Sequence, residues 1–290
     1  MKTLLIAGGT GFLGTHISRE ASNRGYRVVR VSRSAPTSNA DVIPWSALPE
    51  AAEGASAIIN LAGSNLAKKR WSASERREIL RSRVETTRSI VGALAQLTNC
   101  PPLINASAVG YYGNTMVPSS EAMPSGQTFL ANVVKAWEAE AERARKYTRV
   151  ALLRVGVVLD PNEGAFPKLA LPMKLFVGGV PGNGRQWMPW VHRDDVVHAF
   201  LWAVENQQAA GPYNVVAPEC VPMSTFISEM AHVLRRPAIA PVPAALLRLV
   251  LGKKADVILH GQNVVPSRLL GEQFRFAYPL LRCAIESLVK

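Results

Sequence analysis

Cysteine is scarce in this 290-residue chain: Cys100, Cys220 and Cys283 stand far apart. They form no Cys-x-x-Cys pair and no metal knuckle, which argues against a disulfide framework and for a reducing, cytoplasmic home. Histidine is equally sparse, five residues scattered along the chain, and no metal is expected. Long apolar runs are missing too. No stretch approaches the ~20 residues a membrane helix needs, so no membrane partner is expected. MKTLLIAGG at the start has the look of a short signal peptide. A glycine-rich turn follows it at once, however, with no adequate h-region and no small-residue cleavage site. It reads instead as a strand.

Acidic residues are also short in supply: 21 Asp and Glu against 33 Lys and Arg, a net charge of +12. The densest basic stretch is KKRWSASERREILRSRVETTR (68–88). It reads either as an anion-binding face, for a nucleotide cofactor or nucleic acid, or as a solvated helix with Glu/Arg pairs at i,i+3 and i,i+4. The second reading accounts for most of these residues. With no zinc finger, RNP motif or aromatic–basic interleaving, nucleic acid is not an expected partner. The 48% hydrophobic and 19% charged content suits a globular chain with a large core, in one composite domain or two small ones.

The first thirty-five residues are the most informative. TLLIA (3–7) is a short apolar run, the pattern of a strand buried on both faces. GGTGFLG (8–14) follows, then THISREASNRG with helical spacing, then the strand RVVRVS (27–32). Gly8 and Gly11 allow a tight turn and a close approach to a pyrophosphate, and Gly14 allows the helix to pack on the sheet. The helix N-terminus, at Phe12, Leu13 and Gly14, supplies N–H groups and a positive dipole end. A lone GxxGxxG is weak, but here it sits in the strand–turn–helix–strand context that dinucleotide binding requires. The end of the second strand selects the cofactor. An NAD site usually places an acid there; this chain has Ser32, Arg33 and Ser34, with no acid until Asp41. An arginine suits a 2′-phosphate, so NADP is favoured over NAD. The alternative is that Arg33 only faces water.

Here the chain resembles the extended short-chain dehydrogenases/reductases, the superfamily of nucleotide-sugar epimerases. AIINLAG (57–63), LINASAVGYYG (103–113), LLRVGVVLDP (152–161), GNGRQWMPWVHRDDVVHAF (182–200) and GPYNVVAP (211–218) carry the resemblance. ASAVGYYG, KAWEAEA, GRQWMPWVHRDDV and GQNVVPSRLL with FAYPLL narrow it to an atypical branch, the "epimerase family proteins". The resemblance implies a Rossmann-type nucleotide binder, with Leu61, Ala62 and Gly63 on the adenine and ribose side. It also implies a catalytic serine at the end of the 103–107 strand and a catalytic Tyr-x-x-x-Lys on the helix at 129–146.

That last motif is absent. None of the six tyrosines has lysine four residues later, and Ala131 stands four before Lys135. Reduction of a carbonyl needs a proton donor, and loss of a general acid typically costs ~10²–10⁴-fold. The candidate replacements are Ser107, Tyr111 or Tyr112, and Glu138, the last only if buried. Lys135 is placed by the resemblance near the nicotinamide ribose. Arg83, in the helix where the superfamily often has a cofactor-facing Asn, would approach a phosphate or the nicotinamide end, steered by Glu78. Arg81 and Arg88 read as solvent-facing. Arg185, Gln186 and Trp187 fall in the loop that the family turns toward substrate, where they suit a polar or anionic small molecule, and Trp190 would wall the cleft. His192 reads as structural; Asp194 and Asp195 read as helix-capping residues.

The expected architecture is α/β, a doubly wound parallel sheet of Rossmann type with a smaller, mostly helical C-terminal substrate lobe. Strands are expected at 3–7, 27–32, 57–61, 103–107, 150–158 and 213–216, and helices at 129–146, 194–206, 223–236 and 244–252. The nucleotide unit then covers 1–160 and 191–217, and the substrate lobe 161–190 and 218–290. Ligands should bind in the cleft at the strand carboxyl ends.

Overall fold

The computed structural model describes residues 2–33, 41–66, 71–238 and 241–289. Ser34 and the basic Lys68, Lys69 and Arg70 lie outside the described residues. The chain opens with β1 (Thr3–Ala7), α1 (Phe12–Asn23), β2 (Arg27–Val31) and the two-residue β3 (Val42–Ile43). There follow α2 (Leu48–Ala52), β4 (Ala57–Asn60), the long α3 (Ala73–Leu94), β5 (Leu103–Ala108), β6 (Thr115–Ser119), α4 (Phe129–Glu142) and β7 (Val150–Val155). Ser72 starts α3 by accepting a hydrogen bond from the Glu75 amide, and Thr128 starts α4 in the same way from Ala131. The expected 129–146 helix is thus shorter, with a tighter 3₁₀ turn at Arg143–Lys146.

The expected 150–158 strand is broken at Gly156. Its second part, β8 (Val157–Leu159), leaves the main sheet. A Cβ on Gly156 would collide with the Pro189 carbonyl, so glycine is needed where the chain crosses that segment. Then come α5 (Phe166–Lys174), β9 (Trp187–Met188), β10 (Trp190–His192), α6 (Arg193–Glu205) and β11 (Gly211–Val215). The C-terminal part adds β12 (Val221–Pro222), α7 (Met223–Leu234), α8 (Ala244–Leu251), α9 (Ala255–Leu259), β13 (Gln262–Val264), α10 (Ser267–Gly271) and α11 (Leu281–Val289).

Seven parallel strands form one sheet in the order β11-β7-β5-β4-β1-β2-β3. The strand order reverses between β1 and β4, and a ligand crevice opens beyond the carboxyl ends at such a switch point. Leu4, Ile6, Ile17, Ala199 and Phe200 pack on one face of the sheet; Leu5, Val29, Val31, Ile90 and Leu94 pack on the other. Both faces are covered, which is why β1 and the first three residues of β4 read as apolar runs. A separate apolar cluster joins α5, α7 and α11 through Phe166, Met173, Phe226, Met230 and Ile285. No helix among the described residues is long and apolar enough to cross a membrane.

Candidate active site

The glycine turn after β1 is fixed by steric contact. Gly8 has φ +79°, and a Cβ there would lie 2.9 Å from the Leu61 carbonyl carbon. A Cβ on Gly14 would overlap the Gly8 carbonyl oxygen. Only glycine lets the turn, α1 and the Leu61–Ala62 backbone approach so closely. Gly11 precedes α1 with no side-chain cap, and the first turn holds no acid. The amides of Phe12, Leu13 and Gly14 therefore open the helix with no counter-charge, the arrangement that receives an anion. At the end of β2, Ser32 is half-buried and Arg33 is exposed.

Across the switch point, a buried polar ladder holds the second turn. Asn60 Oδ1 accepts from the Ala62 amide at 3.1 Å, while its Nδ2 donates to Asn105 Oδ1 at 2.7 Å and Thr87 Oγ1 at 2.9 Å. Trp137 Nε1 donates to the same Thr87 oxygen at 3.0 Å. Strands β4 and β5 and helices α3 and α4 thus meet behind Leu61, Ala62 and Gly63. Arg83 reaches this turn from α3. It donates to the Ser64 carbonyl at 3.2 Å and the Ile79 carbonyl at 3.1 Å, with its guanidinium over the Trp137 ring. Burial lowers the Arg83 pKa to about 10, and no carboxylate among the described residues pairs with it. Glu78 does not steer it. Spaced i,i+3 on the outer face, Glu78 pairs with Arg81 at 2.6 Å instead. Arg88 is exposed, yet it reaches the buried Glu140 at 3.1 Å.

A second cluster lies at the carboxyl ends of β5 and β7, where Ser107 and Arg154 are register partners. Glu138 on α4 faces both. It accepts from Ser107 Oγ at 2.5 Å and takes a two-point ion pair from Arg154, both bonds 2.8 Å. Arg154 also donates to Tyr112 Oη at 2.9 Å, and Tyr112 donates to Asn214 Oδ1 at 2.7 Å. The Tyr111 ring lies 3.5 Å from the guanidinium. Burial alone would lower the Arg154 pKa, but the hydrogen bonds and charge of Glu138, with Tyr112, hold it above the ordinary arginine value. Burial raises the Tyr112 hydroxyl despite Arg154.

This geometry sorts the candidate acids. Glu138 accepts from Ser107 and from two guanidinium nitrogens of Arg154, so its oxygens are engaged and it is no free acid. Tyr112 is sealed inside the network. Tyr111 is half-buried, and its hydroxyl has no hydrogen-bond partner among the described residues. The α4 face that meets the sheet runs through Ala131, Val134 and Glu138, at i, i+3 and i+7. Lys135, at i+4 from Ala131, stands at the edge of that face and is exposed.

The substrate-loop residues also divide. Arg185 is exposed, and Trp187 is half-buried at the start of β9. Gln186 is buried, donating to the Pro181 and Ile258 carbonyls at 2.9 and 3.0 Å. Trp190 does not wall a cleft. It is fully buried in the C-terminal apolar cluster, and its indole N–H donates to the Glu219 carbonyl at 2.7 Å. His192, structural as expected, caps α6 by accepting from the Asp194 amide at 3.1 Å, and burial lowers its pKa to about 4. That capping role replaces the one expected of the aspartates. Asp195 instead accepts from the Ala277 and Tyr278 amides, tying down the C-terminal segment.

The sequence reading passed over Asn60, Thr87, Asn105, Trp137 and Arg154. A signal existed for three of them. Asn60 closes the apolar run AIIN, Asn105 interrupts LINASA, and Arg154 interrupts LLRVGV. A polar group inside a buried strand demands a buried partner.

The model of the NAD dependent epimerase/dehydratase family matches residues 4–216. The chain belongs to that family. Residues 242–288 match a second model, a domain of unknown function (DUF1731). Full-length relatives include the epimerase family protein SDR39U1 of Mus musculus, 35% identical over 99% of both chains. Another is the epimerase family protein YfhF of Bacillus subtilis, 34% identical over 99% of this chain and 97% of the relative. The crystal structure of human epimerase family protein SDR39U1 (isoform 2) with NADPH superposes with a TM-score of 0.92 at 33% identity, over 99% of this chain and 98% of that one.

Proposed function

We propose that this family member binds NADP(H) and serves an oxidoreductase or epimerase-like reaction on a small polar or anionic molecule. The observation that carries the cofactor reading is the cradle formed by Gly8, Gly11 and Gly14 with the uncapped N-terminus of α1. Side chains would fill that cradle, and its free amides suit a pyrophosphate. Ser32 and Arg33, with no acid beside them in sequence, suit the 2′-phosphate of NADP. The human relative's structure with NADPH supports the same reading. Arg83, Leu61, Ala62 and Gly63 would line the rest of the nucleotide's path. When bound, the nicotinamide supplies or takes a hydride.

The chain's own residues then handle protons and position. Ser107 donates its hydroxyl hydrogen bond to Glu138, which leaves its oxygen lone pairs to receive a hydrogen bond from a substrate hydroxyl. Arg154 holds Glu138 in place through two hydrogen bonds, so that this polarity persists. Tyr111, with its unpartnered hydroxyl at the same end of the sheet, is the proton donor in the reductive direction. Lys135, exposed at the edge of the inward face of α4, would reach the nicotinamide ribose. Arg185 and Trp187 would contact the substrate from the 161–190 and 218–290 lobe. The nucleotide unit comprises 1–160 and 191–217, and a cytoplasmic location fits the three free cysteines.

The test is fluorescence titration with NADPH and NADH of the wild type and Arg33→Ala, followed by turnover with carbonyl compounds and nucleotide sugars. Tight NADPH binding, weakened in the variant, supports the cofactor site; binding of neither nucleotide would sink it. The second reading is a non-catalytic NADP-binding sensor. It is favoured by the absent Tyr-x-x-x-Lys and by the ion pair that occupies Glu138. Turnover lost in Ser107→Ala would rule the sensor out.

A further inference from the structure

We infer that Arg30 is a second determinant of cofactor choice, recognising the 2′-phosphate from beneath the glycine turn; this rests on the NADP reading above. Arg30 is the fourth residue of β2, paired with Ile6 on one side and Val42 on the other. Its neighbours Val29 and Val31 are buried in the apolar cluster on the opposite face of the sheet. Strand alternation therefore places Arg30 and Ser32 together on the face that carries α1. On that face the arginine stem lies directly across the glycine turn. A Cβ on Gly9 would come 2.6 Å from Arg30 Cγ and 3.2 Å from both Cβ and Cδ. Glycine at position 9 thus makes room for the stem.

The stem is fixed, but the charged end is uncommitted. Arg30 is half-buried, and its guanidinium forms no hydrogen bond or ion pair among the described residues. Arg27, on the same strand, lies 3.9 Å from the Asp41 carboxylate, and the Arg30 contact to Asp41 runs only through its backbone amide. A planar five-donor fork held beside the β1 turn, at the strand end where the adenosine ribose is read, matches a phosphate monoester. Its match to a bare ribose hydroxyl is poorer. Arg33 would then be the outer, solvent-screened partner and Arg30 the inner one.

The experiment compares the wild type with Arg30→Met and Arg30→Lys. Methionine retains an unbranched stem against Gly9 and deletes the charge. Ligands are NADPH, NADH, 2′,5′-ADP and 5′-AMP; the last two differ only in the 2′-phosphate. Arg30→Met should weaken NADPH and 2′,5′-ADP by about 10- to 100-fold, the range for a hydrogen bond to a charged group. NADH and 5′-AMP should stay within about two-fold. Arg30→Lys should fall between, because it keeps the charge and loses the fork. An equal loss for both members of each pair would make Arg30 a mere support of the turn and overturn the inference. So would an unchanged NADPH-to-NADH ratio. A wild-type protein that binds both nucleotides equally would overturn the NADP reading itself, before any variant is compared. Unchanged thermal unfolding of the variants identifies these as binding effects.

Discussion

Replacing Glu138 with glutamine tests whether the Ser107–Glu138–Arg154 cluster is a locked ion pair. The carboxylate is 8% exposed at the side chain and Arg154 is 4% exposed, with two 2.8 Å bonds between them. Removing one charge of a buried pair costs about 3–5 kcal/mol, because the other charge stays in a medium that solvates it poorly. Glutamine still accepts from Ser107 and from one Arg154 nitrogen, so the cost should sit at the low end, about 3 kcal/mol. For a chain of this size that corresponds to a fall in Tm of roughly 6–12 °C. Glu138→Leu combined with Arg154→Met removes both charges and should be less damaging than Arg154 left alone opposite glutamine. Urea unfolding at pH 7, with thermal melts in parallel, gives both quantities. A Glu138→Gln loss below about 0.5 kcal/mol would refute the reasoning, since an unlocked glutamate remains available as an acid. A double variant worse than the single would refute it equally.

Three further outcomes follow from the same contacts. Gly14→Ala should destabilise the fold by about 1–3 kcal/mol and abolish nucleotide binding, because its Cβ collides with the Gly8 carbonyl; isothermal titration with NADPH checks this. Arg83→Met should weaken nucleotide binding by about ten-fold or more while the melting point moves little. This cation has no carboxylate partner among the described residues to leave behind, and the fluorescence titration reads the loss. His192→Asn keeps a good helix cap but removes a buried imidazole whose pKa falls to about 4 from an ordinary 6.5. Between those values the unfolded chain binds the extra proton, so this histidine makes stability fall as pH drops from 6.5 toward 4. Burial also lowers His16, which acts in the same sense, whereas burial raises Asp195, which acts in the opposite one. The difference in Tm between wild type and His192→Asn across that range isolates the His192 contribution, and identical pH profiles would show that it does not exist.

The nucleotide half was legible because its signals are local. TLLIA, GGTGFLG and RVVRV dictate a buried strand, a turn that only glycine can make, and a second strand within about thirty residues, and the sheet built on them is parallel, as expected. The absence of Tyr-x-x-x-Lys was equally plain, since it needs only counting. Side-chain direction is different in kind. Whether Glu138 faces the sheet or the solvent depends on how α4 is rotated about its axis, and sequence spacing without a fixed register cannot supply it. Helix α4 turns Glu138 inward, and β7, 16 residues on, supplies the arginine that engages it. Trp190 was misplaced for a related reason: a tryptophan reads the same in a cleft wall and in a core until the packing of α5, α7 and α11 encloses it. Sequence by itself determined the sheet, the glycine turn and the missing acid, because short-range sterics and strand burial write directly into residue order. Only tertiary structure decided the partners of Ser107, Glu138 and Arg154, because those depend on contacts between elements far apart in the chain.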